Sequence, residues 1–200
     1  IQVGNNKFAP AQPANIPVAG DKDSPNAPTY ASLAKVASLK GDNRAPNRTG
    51  QAVLEGLGRS GNVGIVSNLS GYARYATYEA TLGHNIPDVF WSFLNSRGVV
   101  YENGRYVDGP VVDWLFAMGY PITEPYWVEI KVGNANRWVL MQAFQRRILT
   151  YSPQNPDRWK VEMGNVGRAY FDWRYKGQTP APAPTATATP RPAVQPGMSI

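Results

Sequence analysis

The chain has 200 residues, 42% of them apolar and 17% charged, which suits one ordinary domain with a buried core and leaves no room for a second. Its net charge of +6 fits weak attraction to anionic surfaces such as cell-wall polymers, but no Lys/Arg run exceeds Arg146-Arg147 and no zinc-finger or RNA-binding signature occurs, which argues against a nucleic-acid partner. Cysteine is absent, so disulfides and thiolate metal sites are excluded, and no apolar run approaches the roughly 18 residues of a membrane span.

Residues 1 to 28 hold Pro10, Pro13, Pro17, Pro25 and Pro28 among small and polar residues and read as an extended N-terminal arm. From Thr29, the spacing of Tyr30, Leu33, Ala34 and Ala37 predicts a short amphipathic helix ended by Lys40-Gly41, followed by a loop around Pro46. The Gly-rich stretch from Val53 to Val66 reads as strand or irregular chain. Arg74 to Glu79 has the β-branched and aromatic content of a short strand. Pro87 suits the first turn of a helix with Phe90, Trp91 and Leu94 on its apolar side and Gly98 as its stop.

Val99 to Val107 has the form of a hairpin, because Asn103-Gly104 between β-rich runs supplies the positive φ angles of a type I′ turn. Val111 to Met118 reads as a helix closed by Gly119. Val128, Ile130 and Val132 alternate with Glu129 and Lys131, as in a half-buried strand, and Gly133 to Asn136 turns it back into a strand from Trp138 to Phe144. Ile148 to Tyr151 and Trp159 to Met163 add two more strands. Val166, Tyr170 and Trp173 mark one face of a final helix. The expected fold class is α+β, a small antiparallel sheet with short helices spanning residues 29 to 175 as a single module.

From Lys176 onward Pro180, Pro182, Pro184, Pro190, Pro192 and Pro196 alternate with Ala and Thr. Such a composition resembles the spacers of secreted proteins, with Thr179, Thr185, Thr187 and Thr189 as candidate acceptors of O-linked sugars. A start at Ile1 instead of Met matches a chain freed of its signal peptide, so a secreted, cell-surface location is expected.

Gly83-His84-Asn85, Phe90-Trp91 with Phe93-Leu94, Gly119-Tyr120-Pro121-Ile122-Thr123-Glu124, Gln142-x-Phe144-x-Arg146-Arg147, Tyr151-x-Pro153-x-Asn155 and Gly164-Asn165-Val166-Gly167, in that order, resemble a module of secreted proteins in Chloroflexota-type bacteria. The resemblance spans residues 29 to 175 and implies a secreted setting; it brings no catalytic residues to carry over. The chain departs from that module at Gln145, where Glu is common, and at Ala169, where His often stands. Residues 115 to 153 are also similar in style to LGFP repeats, which are associated with attachment to mycobacterial-type cell walls.

Catalytic chemistry finds little footing. Glycoside cleavage needs paired carboxyls, and no spacing singles out a pair among Glu102, Asp108, Asp113, Glu124 and Glu129. His84 is the one histidine, without HExxH-like spacing or a Gly-x-Ser-x-Gly elbow, so His84 and Asn85 read as partners for backbone groups at a tight turn. Arg146-Arg147 reads as pairing with Glu or covering the sheet edge. Trp138, Trp127 and Trp159 are candidates for stacking on sugar rings; Trp138 faces outward if Val139, Met141 and Ala143 face inward, and the opposite register is equally open. No cofactor is called for. The expected function is therefore a secreted, non-enzymatic structural or interaction protein, self-assembling as a filament or sheath subunit whose arms contact other copies. The alternative is a module that binds glycan, a cell-wall or extracellular polysaccharide, and third comes a polysaccharide or peptidoglycan hydrolase.

Overall fold

In the computed structural model, which describes residues 13–38 and 41–175 together with the backbone of 2–3 and 6–7, the chain is α+β, with small sheets and short helices. In order it forms β1 (Gln2–Val3), β2 (Asn6–Lys7), α1 (Tyr30–Leu33), β3 (Glu55–Leu57), β4 (Val63–Ile65), β5 (Tyr75–Glu79), β6 (His84–Pro87) and α2 (Asp88–Leu94). There follow β7 (Arg97–Glu102), β8 (Arg105–Pro110), α3 (Trp114–Met118), β9 (Tyr126–Val132), β10 (Ala135–Ala143), β11 (Ile148–Tyr151), β12 (Val161–Met163) and α4 (Val166–Tyr175).

The central sheet has six strands in the order β12-β11-β10-β9-β3-β4. Its spine is the β9–β10 hairpin, turned at Gly133 with φ +61 and paired from Ala135↔Val132 to Met141↔Tyr126. The sheet is mixed, which corrects the expectation of a purely antiparallel one: β3 runs parallel to β9 at Gly56↔Trp127. Gly56 permits that approach, since a Cβ there would sit 2.5 Å from Val66 Cγ2 and 3.3 Å from the Trp127 carbonyl oxygen.

Both faces of the spine are covered. Val128, Ile130, Val139, Met141, Ala143 and Ile148 pack with Val18, Ala27 and Leu33 on one face. On the other, Trp127, Leu140 and Leu149 pack with Ile86, Phe90, Leu94 and Met118 from the overlying β6, α2 and α3. Register enforces the division, because Val139↔Val128 and Leu140↔Trp127 point to opposite sides of the sheet. A fully buried Leu or Ile is worth roughly 1.5–3 kcal/mol, so the two layers supply the stabilisation that such short helices lack on their own.

Four local expectations change. Residues 13–28, read as part of an extended arm, form a layer of the domain: Val18 N–H donates to the Pro28 carbonyl at 3.0 Å, Asp21 N–H to the Lys131 carbonyl at 2.8 Å, and Val18 and Ala27 are buried. Their prolines remove N–H donors, but the residues between them still bury apolar surface. α1 is short, opening on a Thr29–Ser32 capping box and tightening through Lys35 N–H to Ser32 and Val36 N–H to Leu33; its expected end at Lys40 lies outside the described residues. α2 stops at Asn95, whose backbone N–H and side-chain amide both donate to the Trp91 carbonyl at 3.1 and 2.8 Å, so Gly98 is free to enter β7. The segment from Trp159 splits into a 3-10 turn (Asp157–Trp159) and β12. The Val99–Val107 hairpin lies within β7–β8, with Asn103 at φ 50 and Gly104 at φ 81. Residues 176–200, including Thr179, Thr185, Thr187 and Thr189, lie outside the described residues. No helix among the described residues is long and apolar enough to cross a membrane.

Candidate functional site

The Gly119-Tyr120-Pro121-Ile122-Thr123-Glu124 peptide leaves α3 through Gly119, at φ +74, and runs beside residues 143–145, with Ile122 N–H donating to the Ala143 carbonyl at 2.9 Å. That path delivers Glu124 to the buried end of the sheet. There its Oε1 accepts the backbone N–H of Asn85 at 2.8 Å and its Oε2 accepts the Asn85 side-chain amide at 2.9 Å. His84 Nδ1 lies 3.3 Å from Oε1, and Arg48 Nη2 approaches Oε2 to 3.9 Å. Arg48 also pairs with Glu55, whose other oxygen accepts the Tyr75 hydroxyl at 2.7 Å.

Asn85 ties this carboxylate to the loop before β3, donating to the Pro46 carbonyl and accepting from Arg48 N–H, both at 2.9 Å. Gln142, near the end of β10, donates to the Asn85 and Thr123 carbonyls at 2.8 and 2.9 Å. His84 Nε2 and Gln142 Oε1 are buried without a partner among the described residues. Asn85 therefore does serve backbone groups, but those of a loop 37 and 39 residues away instead of its own turn, and His84 stands on a strand facing a carboxylate. Burial pushes the Tyr75 hydroxyl well above the usual tyrosine value, and it pushes Tyr126 up to about 12 with the Glu124 charge adding to the effect. The cluster can orient and lock. The grooves described below are lined by none of its side chains.

The three tryptophan candidates separate. Trp127 is 0% exposed, with Nε1 donating to the Val53 carbonyl at 2.9 Å, so it cannot stack on a ligand; both faces of β9 are covered, and that corrects its reading as a sugar platform. Trp159 is 65% exposed beside Asp157 in the 3-10 turn. Trp138 is half-buried and lines an open groove of about 250 Å³ with Asn26, Asn62 and Glu129. Glu129 there accepts from the Asn26 side-chain amide at 2.5 Å and from that of Asn136 at 3.3 Å. Neither register considered for Trp138 describes it, since the face away from Val139 is covered as well. Among the described residues Arg146 forms no ion pair with Glu: its Nη1 donates to the Leu115 carbonyl at 3.2 Å, which also accepts the Gly119 N–H at 2.9 Å, so it reinforces the end of α3.

Two further surfaces were silent in the sequence. Among the described residues β7 and β8 pair only with each other, and Val99, Tyr101 and Tyr106 are 77%, 66% and 76% exposed, the two rings meeting edge to face at 5.1 Å. Val111 and Phe116 follow, also exposed. At the opposite end of the chain, α4 overlies residues 13–22, leaving a groove of about 570 Å³ on one flank, where Val18, Met163 and Trp173 adjoin Lys22, Arg168 and Asp172, and an apolar groove of about 240 Å³ on the other. No group of three or more potential metal ligands exists among the described residues. Compared with known protein families, curated proteins and solved structures, the chain matches none.

Proposed function

We propose that this protein is a secreted, non-enzymatic structural or interaction protein of the cell surface that associates with copies of itself, with the β7–β8 ribbon as the contact. One observation carries the reading. Among the described residues the ribbon is a two-stranded sheet with both outer edges unpaired and a face bearing Val99, Tyr101 and Tyr106 in water. Unpaired edges are templates for strand addition, and exposed aromatics favour burial against a partner. The Glu124 cluster is engaged in holding loops and strands together, which fits a scaffold. Sedimentation velocity from about 1 to 200 μM is expected to show concentration-dependent association, and Tyr101→Glu with Tyr106→Glu to shift it at least tenfold in concentration. A monomer throughout that range, with the double variant indistinguishable from it, would sink the proposal.

A second reading, a glycan-binding module, is favoured by the groove at Trp138, where one half-buried ring adjoins two asparagines and a carboxylate. Rings of this kind stack on pyranose faces while amides and carboxylates take the hydroxyls. Titration of soluble wall polysaccharides should then give dissociation constants in the micromolar to millimolar range that weaken about tenfold or more in Trp138→Ala. Equal binding by Trp138→Ala and the parent chain removes this site.

A further inference from the structure

The groove at Trp138 crosses four neighbouring strands of the central sheet. Trp138 stands opposite Glu129 in the β9–β10 pair, Gly56 of β3 pairs with Trp127 of β9 and with Gly64 of β4, and Gly58 N–H donates to the Asn62 carbonyl at 3.0 Å. Trp138 of β10, Glu129 of β9, Gly58 at the end of β3 and Asn62 at the start of β4 all line the groove. Three strand spacings of about 4.8 Å make that row roughly 14 Å long, and one spacing is close to the length of one pyranose residue.

The lining is one-sided in charge. Among the described residues that form it, Glu129 carries the one charge and no Lys or Arg is present, although the whole chain is +6. Glu129 is held in place, Oε2 accepting the Asn26 amide and Oε1 that of Asn136, and each oxygen keeps room for a further donor. A fixed carboxylate of this kind accepts from hydroxyls and repels a second carboxylate or a phosphate. The overall charge attracts anionic polymers at long range, but the groove itself suits an uncharged polyol.

The shape agrees with that chemistry. A Cβ added at Gly64 would have nothing within 4 Å, and one at Gly58 would meet only the Asn62 carbonyl oxygen at 3.8 Å, so neighbouring atoms do not require glycine at either position. Glycine inside a strand weakens it and often marks close approach from outside. An extended peptide is a poor occupant of this face, because the strands' N–H and C=O groups are spent in the ladder and its own would stay unpaired. A sugar chain can instead rest its C–H faces on Trp138 and the bare peptide planes while its hydroxyls reach Glu129, Asn26 and Asn62.

Building on the glycan-binding reading of this groove, we propose that its ligand is a neutral glycan chain lying across β10, β9, β3 and β4, and that acidic glycans are shut out despite the basic chain. The Trp138 indole N–H resonance of the full chain reports the site, with cellohexaose and chitohexaose as neutral probes and hexagalacturonate as the acidic one, in about 150 mM salt to screen long-range charge. A neutral hexamer is expected to shift that resonance and to bind at least about tenfold more tightly than hexagalacturonate. Glu129→Gln should narrow the gap by admitting the acidic chain. Gly64→Leu should weaken the neutral hexamer about tenfold at an unchanged melting temperature, with Gly58→Leu in its place if that variant does not fold. The inference is overturned if hexagalacturonate binds as tightly as the neutral probes, or if the folded glycine variant binds them unchanged; a loss of binding in Trp138→Ala would then leave the glycan reading itself standing. No shift with any of the hexamers ends both.

Discussion

Glu124 shows how one side chain can fix several remote pieces of backbone. Its two oxygens take both donors of Asn85 and face His84 and Arg48, at 4% exposure. Removing the carboxylate takes the acceptor from two buried Asn85 donors, at a cost of about 1–3 kcal/mol each, and chemical denaturation of Glu124→Ala should register a loss of about 3–5 kcal/mol. Glu124→Gln keeps one acceptor but turns an NH2 toward a donor, so a smaller loss of about 1–3 kcal/mol is expected. None of this was legible residue by residue, because the partners lie about 40 positions apart in sequence. A signal was present: Glu124 and Gln142 are polar residues set into stretches that otherwise bury, next to Tyr126-Trp127 and inside Val139 to Phe144. Trp127 was misjudged for the converse reason, since nothing in an alternating strand tells that its second face is also roofed.

Among the elements, those whose conformation is local were the readable ones. Asn103-Gly104 demands its own turn, and the β9–β10 hairpin follows from alternation closed by Gly133. The layer formed by residues 13–28 depends on distant backbone instead. Gly20, at φ +77, comes so close to β9 that an added Cβ would meet the Lys131 carbonyl oxygen at 2.7 Å and Ile130 Cβ at 2.8 Å. Gly20→Ala combines the left-handed φ with a backbone clash and should destabilise by about 1–3 kcal/mol. Hydrogen exchange would locate the effect: amides of residues 18–31 should lose protection while those of β10 and β11 keep it. Equal loss in both regions would mean that the segment and the sheet unfold as one unit.

At the scale of the whole molecule, tyrosine burial sets an alkaline limit. A phenol whose folded-state pKa is raised contributes its full share of stability below pH 10 and loses it as pH rises through the folded value, because the unfolded chain ionises first. With Tyr126 at about 12, that loss amounts to roughly 3 kcal/mol by pH 12, and Tyr75 adds to it. Denaturant midpoints should be flat from pH 7 to 9.5 and fall steeply above 10, with absorbance at 295 nm showing the buried tyrosines ionising together with unfolding. Tyr126→Phe should move that fall to higher pH.

The parallel junction of β3 with β9 has a consequence for how the chain comes into being. Ribosomes release residues from the N-terminus at about 5–20 per second, so Val53, Ile86 and Phe90 emerge several seconds before the Trp127, Leu140 and Leu149 side chains that cover them. Ser24 waits in the same way for Lys131, 107 positions later. Contacts of such long sequence separation close slowly, since the intervening chain must first give up its freedom. The first half of this protein thus spends its earliest moments with its apolar side open, and the nascent chain is the form most exposed to proteases and to wrong partners.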